Sequence, residues 1–321
     1  MKNYLNIAID AVKAASKVCS QIQFNLVTED TLIKKDKSPV TVADFASQAV
    51  ICSILNEHFP EIPVVGEESA GDLRNGANPA LLDKIADYLP GWQKDDIVDA
   101  IDIGNGSPGK LFWTLDPIDG TKGFLRGEQY AVALALIKDG KIVLGVLGCP
   151  NLSPNDDISG DGSIVYGFKD GGAFIRPLEG GEIRKIHVSK NAQGDEIRFL
   201  ESVEAAHANH GLQGRIMTTF GEQAKSVRID SQVKYAVLAQ GKADVYLRLP
   251  NANQPDYREK IWDHAAGAVI VTEAGGEISD MNGKPLQFNH GRKMHENHGV
   301  IVTNGLLHDP VISIIKKSQT E

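Results

Sequence analysis

From residue 4 to about residue 24, apolar side chains recur at Leu5, Ala8, Ile9, Val12, Ala15, Cys19 and Ile22. That is helical spacing with a polar opposite face, and it predicts a structural helix with no chemistry of its own. Ala46, Ala49, Val50, Leu55 and Phe59 mark a second helix, from about residue 41 to 58, with Thr41 as its N-cap and Asp44 completing a capping box. The period then changes. Residues 62–65 form a short strand that runs into Gly66-Glu67-Glu68-Ser69. Residues 130–136 and 142–147, around Lys138-Asp139-Gly140-Lys141, predict a hairpin, and residues 163–168 and 173–175 predict another.

Residues 176–196 are rich in glycine and charge and read as a junction. The expected organisation is one unit, 1–321, with subdomains at about 1–190 and 191–321. After the junction come a strand near 197–203, a helix capped by Asp230 or Ser231, a strand at 243–249, and a small-residue helix at 265–274 ended by Gly275-Gly276. Met281-Asn282-Gly283-Lys284 predicts a hairpin turn, residues 299–303 a strand, and Asp309-Pro310 the cap of a final helix. Antiparallel strands in runs, interleaved with helices, make an α+β protein, not a βαβ alternation. Residues 70–110 are polar, and read as a solvated helix face or a lid. Asp95, Asp96, Asp99 and Asp102 lack the spacing of a calcium loop.

One stretch carries the strongest chemical signal: Leu111-Phe112-Trp113-Thr114-Leu115-Asp116-Pro117-Ile118-Asp119-Gly120-Thr121. An apolar run of strand length meets two carboxylates, and Pro117 predicts that the strand stops there. Two crowded aspartates repel unless a cation lies between them, and Mg²⁺ accepts one or two carboxylates plus water and phosphate oxygen. The Ile118 carbonyl is a further ligand candidate. A helix beginning near Gly120 offers free N–H groups to an anion. The plain alternative is an Asp-Pro turn followed by an Asp-Gly corner. Asp44, Glu67 with Glu68, and Asp263 repeat the pattern of a carboxylate at the end of an element. Four such ends meeting at one place would suit metal-assisted phosphate hydrolysis.

Charge and composition narrow the substrate. The net charge of −9 and the absence of a basic stripe argue against a nucleic-acid polymer. A small anion remains compatible where bound cations supply the positive charge. Lys234 and Arg248 could bracket a phosphate, and His207 and His210 could bind phosphate or metal, or be surface polar residues. Cys19, Cys52 and Cys149 are scattered among apolar residues and read as reduced core thiols of a cytoplasmic protein. No apolar run reaches membrane length, and the N-terminus has no signal-peptide pattern.

Gly66-Glu67-Glu68, Asp116-Pro117-Ile118-Asp119-Gly120-Thr121 and Trp262-Asp263-His264-Ala265-Ala266-Gly267 together resemble the three signatures of the inositol monophosphatase superfamily. Its members are lithium-sensitive, Mg²⁺-dependent phosphomonoesterases. Within it, residues 37–44, 230–235 and 243–250, with Gly120-Thr121-Lys122-Gly123-Phe124, are similar to the 3′(2′),5′-bisphosphate nucleotidases. The resemblance implies a layered αβαβα sandwich and removal of the 3′-phosphate of adenosine 3′,5′-bisphosphate (PAP), with action also on its sulfated form, PAPS. It implies two to three Mg²⁺ held by Glu67, Asp116, the Ile118 carbonyl, Asp119 and Asp263. Asp44 and Thr121, assisted by Glu68, would orient and deprotonate water. Gly120 and Thr121 N–H groups would bind the scissile phosphate. His207, Ser231, Lys234 and Arg248 would contact the nucleotide, and Tyr235 its base. A monomer acting on a small molecule is expected, without a membrane or nucleic-acid partner. The alternatives are an inositol polyphosphate 1-phosphatase acting on inositol 1,4-bisphosphate and, more remotely, a non-catalytic nucleotide or metal sensor.

Overall fold

Residues 131–138 show how the chain divides its interior. Val132, Leu134 and Leu136 point into one core, while Ala131, Ala133, Ala135 and Ile137 point into another. The larger side chains face one way and mostly alanines the other, which is the period-2 alternation of a strand buried on both faces. The computed structural model describes the chain apart from residues 27–37, 156, 193, 204–209, 222–223, 251–253, 255 and 319–321. His207 and the basic cluster at Lys34, Lys35 and Lys37 therefore lie outside the described residues.

In chain order the described elements are α1 (Lys2–Leu26), α2 (Ser38–His58), β1 (Val64–Gly66), α3 (Gly71–Arg74), α4 (Pro79–Asp87), α5 (Lys94–Asp102), β2 (Leu111–Asp119), α6 (Thr121–Leu125), β3 (Ala131–Lys138), β4 (Lys141–Cys149), β5 (Ser163–Phe168), β6 (Gly172–Pro177), β7 (Arg184–Ile186), β8 (Arg198–Glu201), α7 (His210–Thr219), β9 (Lys225–Arg228), α8 (Val233–Ala239), β10 (Val245–Arg248), α9 (Ala265–Glu273), β11 (Glu277–Ser279), β12 (Val300–Thr303) and α10 (His308–Ser318). They form one sheet ordered β1-β2-β3-β4-β5-β6-β7 and a second ordered β11-β12-β10-β8-β9. β1 and β2 are parallel, and the other pairs of the first sheet are antiparallel.

Five layers result. α1 and α2 cover the outer face of the first sheet in a core that includes Val12, Ile51, Trp113, Leu134 and Val146. α8 and α9 fill the space between the sheets. Ile216 of α7 and Val311 and Ile315 of α10 pack with Val245, Leu247 and Ile301 on the far face of the second sheet. This is the expected αβαβα sandwich. α9 is apolar all round because it is sandwiched on both sides, and residues 265–271 are all buried. It also lies unusually close to the first sheet: a Cβ at Gly145 would stand 2.6 Å from the Ala266 carbonyl oxygen. Small residues on that sheet face thus set the depth of the helix and of Asp263 just before it.

Several expectations are corrected. α2 begins by Ser38, so Thr41 and Asp44 lie inside the helix and not at its cap. β2 does not stop at Pro117 but continues to Asp119. Its pairing with β3 shifts between Asp116 and Asp119, so Pro117 occupies a bulge where no ladder donor is needed. The 176–196 junction contains β7, an extra edge strand. Residues 281–284 turn on Asp280, whose Oδ1 accepts from the Asn282 and Lys284 N–H groups, and no hairpin partner follows directly. α10 starts at His308, placing Pro310 within its first turn instead of at N1. Residues 70–110 hold three helices that bury Leu73, Ile85, Ile97 and Ile101 in the outer core. Among the described residues no helix is long and apolar enough to cross a membrane.

Candidate active site

The parallel register of β1 and β2 builds the first part of the site. Gly66 pairs with Leu115, so Glu67, just past the end of β1, comes level with Asp116 where the bulge of β2 begins. The Glu67 N–H donates to the Leu115 carbonyl at 3.2 Å. The bulge then separates Asp116 from Asp119 and turns the chain toward α6. Gly120, the residue before α6, has φ +91°, and a Cβ there would meet Ser231 Cβ at 2.7 Å. Only glycine suits that corner.

α2 supplies the next carboxylate. The Ser47 hydroxyl donates to the Pro117 carbonyl at 2.9 Å, docking the helix on the bulge. Gln48 clasps the Glu68 backbone: its Nε2 donates to the Glu68 carbonyl at 2.7 Å, and its Oε1 accepts from the Glu68 N–H at 3.1 Å. Asp44 is three and four residues before these anchors, on the same helix face. It is therefore turned toward Glu67 and Glu68, whose charges it feels. Asp263, just before α9, joins from the other sheet's side and interacts with Asp119 and Glu67.

Crowding has a clear electrostatic signature. Burial pushes Asp44, Asp116 and Asp263 well above the ordinary carboxylate range, and neighbouring carboxylates push the same way. Glu67 reaches the rim, yet desolvation by the cavity wall and the Glu68 charge push it up to about 7. Asp119 is raised by burial, with Lys234 and the Gln232 N–H opposing. That N–H donates to Asp119 Oδ2 at 2.6 Å. Asp116 is 2% exposed, and its Oδ1 has no hydrogen-bond partner among the described residues. An all-oxygen donor set with an orphaned buried carboxylate oxygen fits a hard cation such as Mg²⁺.

Glu67, Asp116, Ile118, Asp119, Gly120, Thr121 and Asp263 share one cavity of about 310 Å³ with Ser231, Lys234, Tyr235 and Arg248. Its lining holds carboxylates and the cations Lys234 and Arg248 together, and both cations act on Asp119. Ser231 has φ +67°, and its Oγ accepts from the Val233 N–H, so the hydroxyl tightens the turn into α8. The N-cap position itself is Gln232. Lys234 is 3% exposed; its Nζ donates to the Ile229 carbonyl at 3.1 Å and lies 5.2 Å from the Tyr246 ring centroid. Burial lowers it to about 8. The Tyr235 hydroxyl and His264 Nδ1 are hydrogen-bonded at 2.6 Å, and the Tyr235 ring meets Tyr246 edge-on. Tyr235 thus lines the cavity as a packed, hydrogen-bonded wall. Asp44 and Glu68 are not among the residues that line it.

Glu259 is the member that sequence reasoning missed. It is 9% exposed, accepts from Arg248 Nε at 3.1 Å and meets His264 Nε2 at 3.3 Å. Burial alone would raise its carboxyl, but His264 and Arg248 hold it down to about 2. Glu259, Asp263 and His264 have ligand atoms within 4.8 Å of one another. Glu259 is already engaged by Arg248 and His264, whereas Asp263 faces the carboxylate cluster and is repelled by Asp119, Glu67 and Glu259. The local sequence gave one faint signal for it, a carboxylate four residues before Asp263. Cys19, Cys52 and Cys149 are free and buried, and burial pushes all three thiols up.

The sequence profile described as Inositol monophosphatase family matches residues 1–320. A Candida albicans protein named 3′(2′),5′-bisphosphate nucleotidase 2 is 42% identical over 97% of this chain and 96% of its own length. A 3′(2′),5′-bisphosphate nucleotidase of Oryza sativa is 40% identical over 99% of this chain and 94% of its own. Among solved structures, an inositol monophosphatase from Anabaena superposes with a TM-score of 0.65 at 21% identity, covering 98% of this chain and 96% of that one. CysQ from Bacteroides thetaiotaomicron, titled a bacterial member of the inositol monophosphatase family, gives a TM-score of 0.66 at 22% identity, covering 94% and 97%. These structural likenesses speak to the fold.

Proposed function

The chain belongs to the inositol monophosphatase family, and from that premise we propose that it hydrolyses the 3′-phosphate of PAP to give AMP and phosphate, and converts PAPS to adenosine 5′-phosphosulfate. It is a phosphatase, as its family and its curated relatives are. One observation carries the choice of substrate. A single cavity is lined both by the carboxylates of Glu67, Asp116, Asp119 and Asp263 and by the cations of Lys234 and Arg248. A molecule with two phosphates matches such a lining if cations hold one phosphate and side chains hold the other.

The family is generally Mg²⁺-dependent and lithium-sensitive. In this reading Glu67, Asp116, the Ile118 carbonyl, Asp119 and Asp263 hold two to three Mg²⁺. Bound Mg²⁺ supplies positive charge against the developing charge of the phosphoryl group and acidifies water. The residues do the rest. The Gly120 and Thr121 N–H groups hold the phosphate oxygens. Thr121 Oγ1 orients the attacking water in line with the departing 3′-oxygen. Asp44, made more basic by burial and by Glu68 and Glu67, accepts the proton, with Glu68 keeping that carboxylate basic. Lys234 and Arg248 hold the 5′-phosphate, Ser231 shapes the turn beside it, Tyr235 walls the base side, and His207 contacts the nucleotide. The chain acts as a cytoplasmic monomer in this reading, in two subdomains divided near residue 190.

Phosphate release with Mg²⁺ from PAP, inositol 1,4-bisphosphate and inositol 1-phosphate, each with and without lithium, tests the proposal. Fast, lithium-blocked release from PAP, lost in Asp119→Asn, is the expected result. A preference for inositol 1,4-bisphosphate would overturn the roles of Ser231, Lys234 and Arg248. No release from any of the three would leave a sensor and refute the catalytic reading.

A further inference from the structure

Arg292 belongs to none of the motifs above, yet it contacts the residue before Glu67 and the residue before Asp263. Its Nη2 donates to the Gly66 carbonyl, and Gly66 directly precedes Glu67. Its guanidinium carbon lies 4.6 Å from the Trp262 ring centroid, and Trp262 directly precedes Asp263. Its backbone is anchored too: the Ile261 N–H donates to the Arg292 carbonyl at 3.1 Å, and the Met294 N–H to the Glu259 carbonyl at 2.9 Å. Lys260 and Lys293 form the antiparallel bridge between these bonds. Residues 292–294 therefore run along 259–261 as a short ladder, and one side chain reaches from it to the end of β1. From the other flank, Gln48 holds the same turn through Glu68, and a Cβ on Gly66 would stand 2.6 Å from Gln48 Oε1. The backbone carrying Glu67 is gripped from both sides.

We propose that Arg292 is a positioning residue that fixes the separation of Glu67 and Asp263, and thereby sets the cation affinity of the site. The proposal rests on the metal-binding reading above. A planar guanidinium can stack on an indole and donate in its own plane at the same time, whereas an ammonium cannot do both. Partners one step behind metal ligands typically govern affinity by about 10–100-fold. The sign of the effect separates geometry from charge. Arg292 is a cation near Glu67. If charge alone mattered, removing it would tighten cation binding; if it positions the ligands, removing it weakens binding.

The test is Mn²⁺ binding to the full-length chain, followed by the paramagnetic resonance signal of free Mn²⁺, for wild type, Arg292→Met and Arg292→Lys. Thermal unfolding in EDTA checks that each variant is folded, and Arg292→Lys carries the test if Arg292→Met is not. The expected result is binding weakened about tenfold in the variants. Unchanged or tighter Mn²⁺ binding by a folded variant overturns the positioning role. Failure of the wild type to bind Mn²⁺ would instead remove the metal reading beneath it.

Discussion

Replacing Glu259 with glutamine tests the basic side of the cavity without touching a proposed metal ligand. Glu259 is held down to about 2 from an ordinary 4.5. At 1.36 kcal/mol per unit, that difference is on the order of 3 kcal/mol of folding free energy. The folded value lies below the unfolded one, so this stabilisation is complete above about pH 4.5 and is lost as pH falls through about 2. An independent route agrees, since breaking a buried pair by removing one partner costs about 3–5 kcal/mol. Part is returned, because Glu259 also pushes Asp263 upward and that repulsion goes. The expected loss at pH 7 is therefore about 2–3 kcal/mol. With about 2.1 cal/mol/K of unfolding entropy per residue, a chain of 321 residues should lose about 3–5 °C in Tm.

The kinetic signature is more specific. Glutamine keeps one acceptor for Arg248 but no charge, and a hydrogen bond to a charged group is worth about 1.5–3 kcal/mol. Steady-state phosphate release should show KM for PAP rising by about tenfold or more, with kcat nearly unchanged. Adenosine 3′-monophosphate has no 5′-phosphate for Arg248 to hold, so its KM should barely move. Equal effects on both substrates, or an unchanged KM for PAP, would refute the argument that Glu259 presents Arg248 to the second phosphate.

Two further outcomes follow from the geometry. In EDTA, the raised carboxyl of Glu67, about 7 against 4.5, gives stability that is present below pH 4.5 and is lost as pH rises through about 7. Tm in EDTA should thus fall from pH 5 to pH 8, and Mg²⁺ should restore it; a flat EDTA profile would count against the crowded cluster. Gly145→Val places side-chain atoms against the Ala266 backbone, where a Cβ alone already comes to 2.6 Å. Overpacking typically costs about 1–3 kcal/mol, and kcat should fall with stability because Asp263 moves with α9. Unchanged unfolding and activity would show that the helix depth is not set there.

Legibility in the sequence followed the range of the interaction. The two faces of β3 show as alternation in side-chain size, and α9 as an unbroken apolar run, residues 265–271, in a helix ended by Gly275-Gly276; both are local patterns that report burial directly. Asp116-Pro117-Ile118-Asp119 stood out because its chemistry is local. Its shape did not: the proline rule predicts an end to the strand, whereas a bulge lets the chain pass Pro117 with no missing donor. Thr41 and Asp44 have the spacing of a capping box, but α2 begins earlier and places both inside the helix. Glu259 and Arg292 act on partners from other elements, through Arg248, His264 and Gly66. No spacing rule encodes such pairings.

The close seat of α9 has a consequence for biosynthesis. The strands of the first sheet all lie before residue 187, and the helix that fits their Ala- and Gly-lined face is residues 265–273. A ribosome therefore completes the sheet well before it delivers the sheet's cover. A nascent chain at that stage has the strands of the first sheet but not the helix that covers their inner apolar face. The order of the elements thus makes the packing of the inner core, and with it the placement of Asp263, a late event in synthesis.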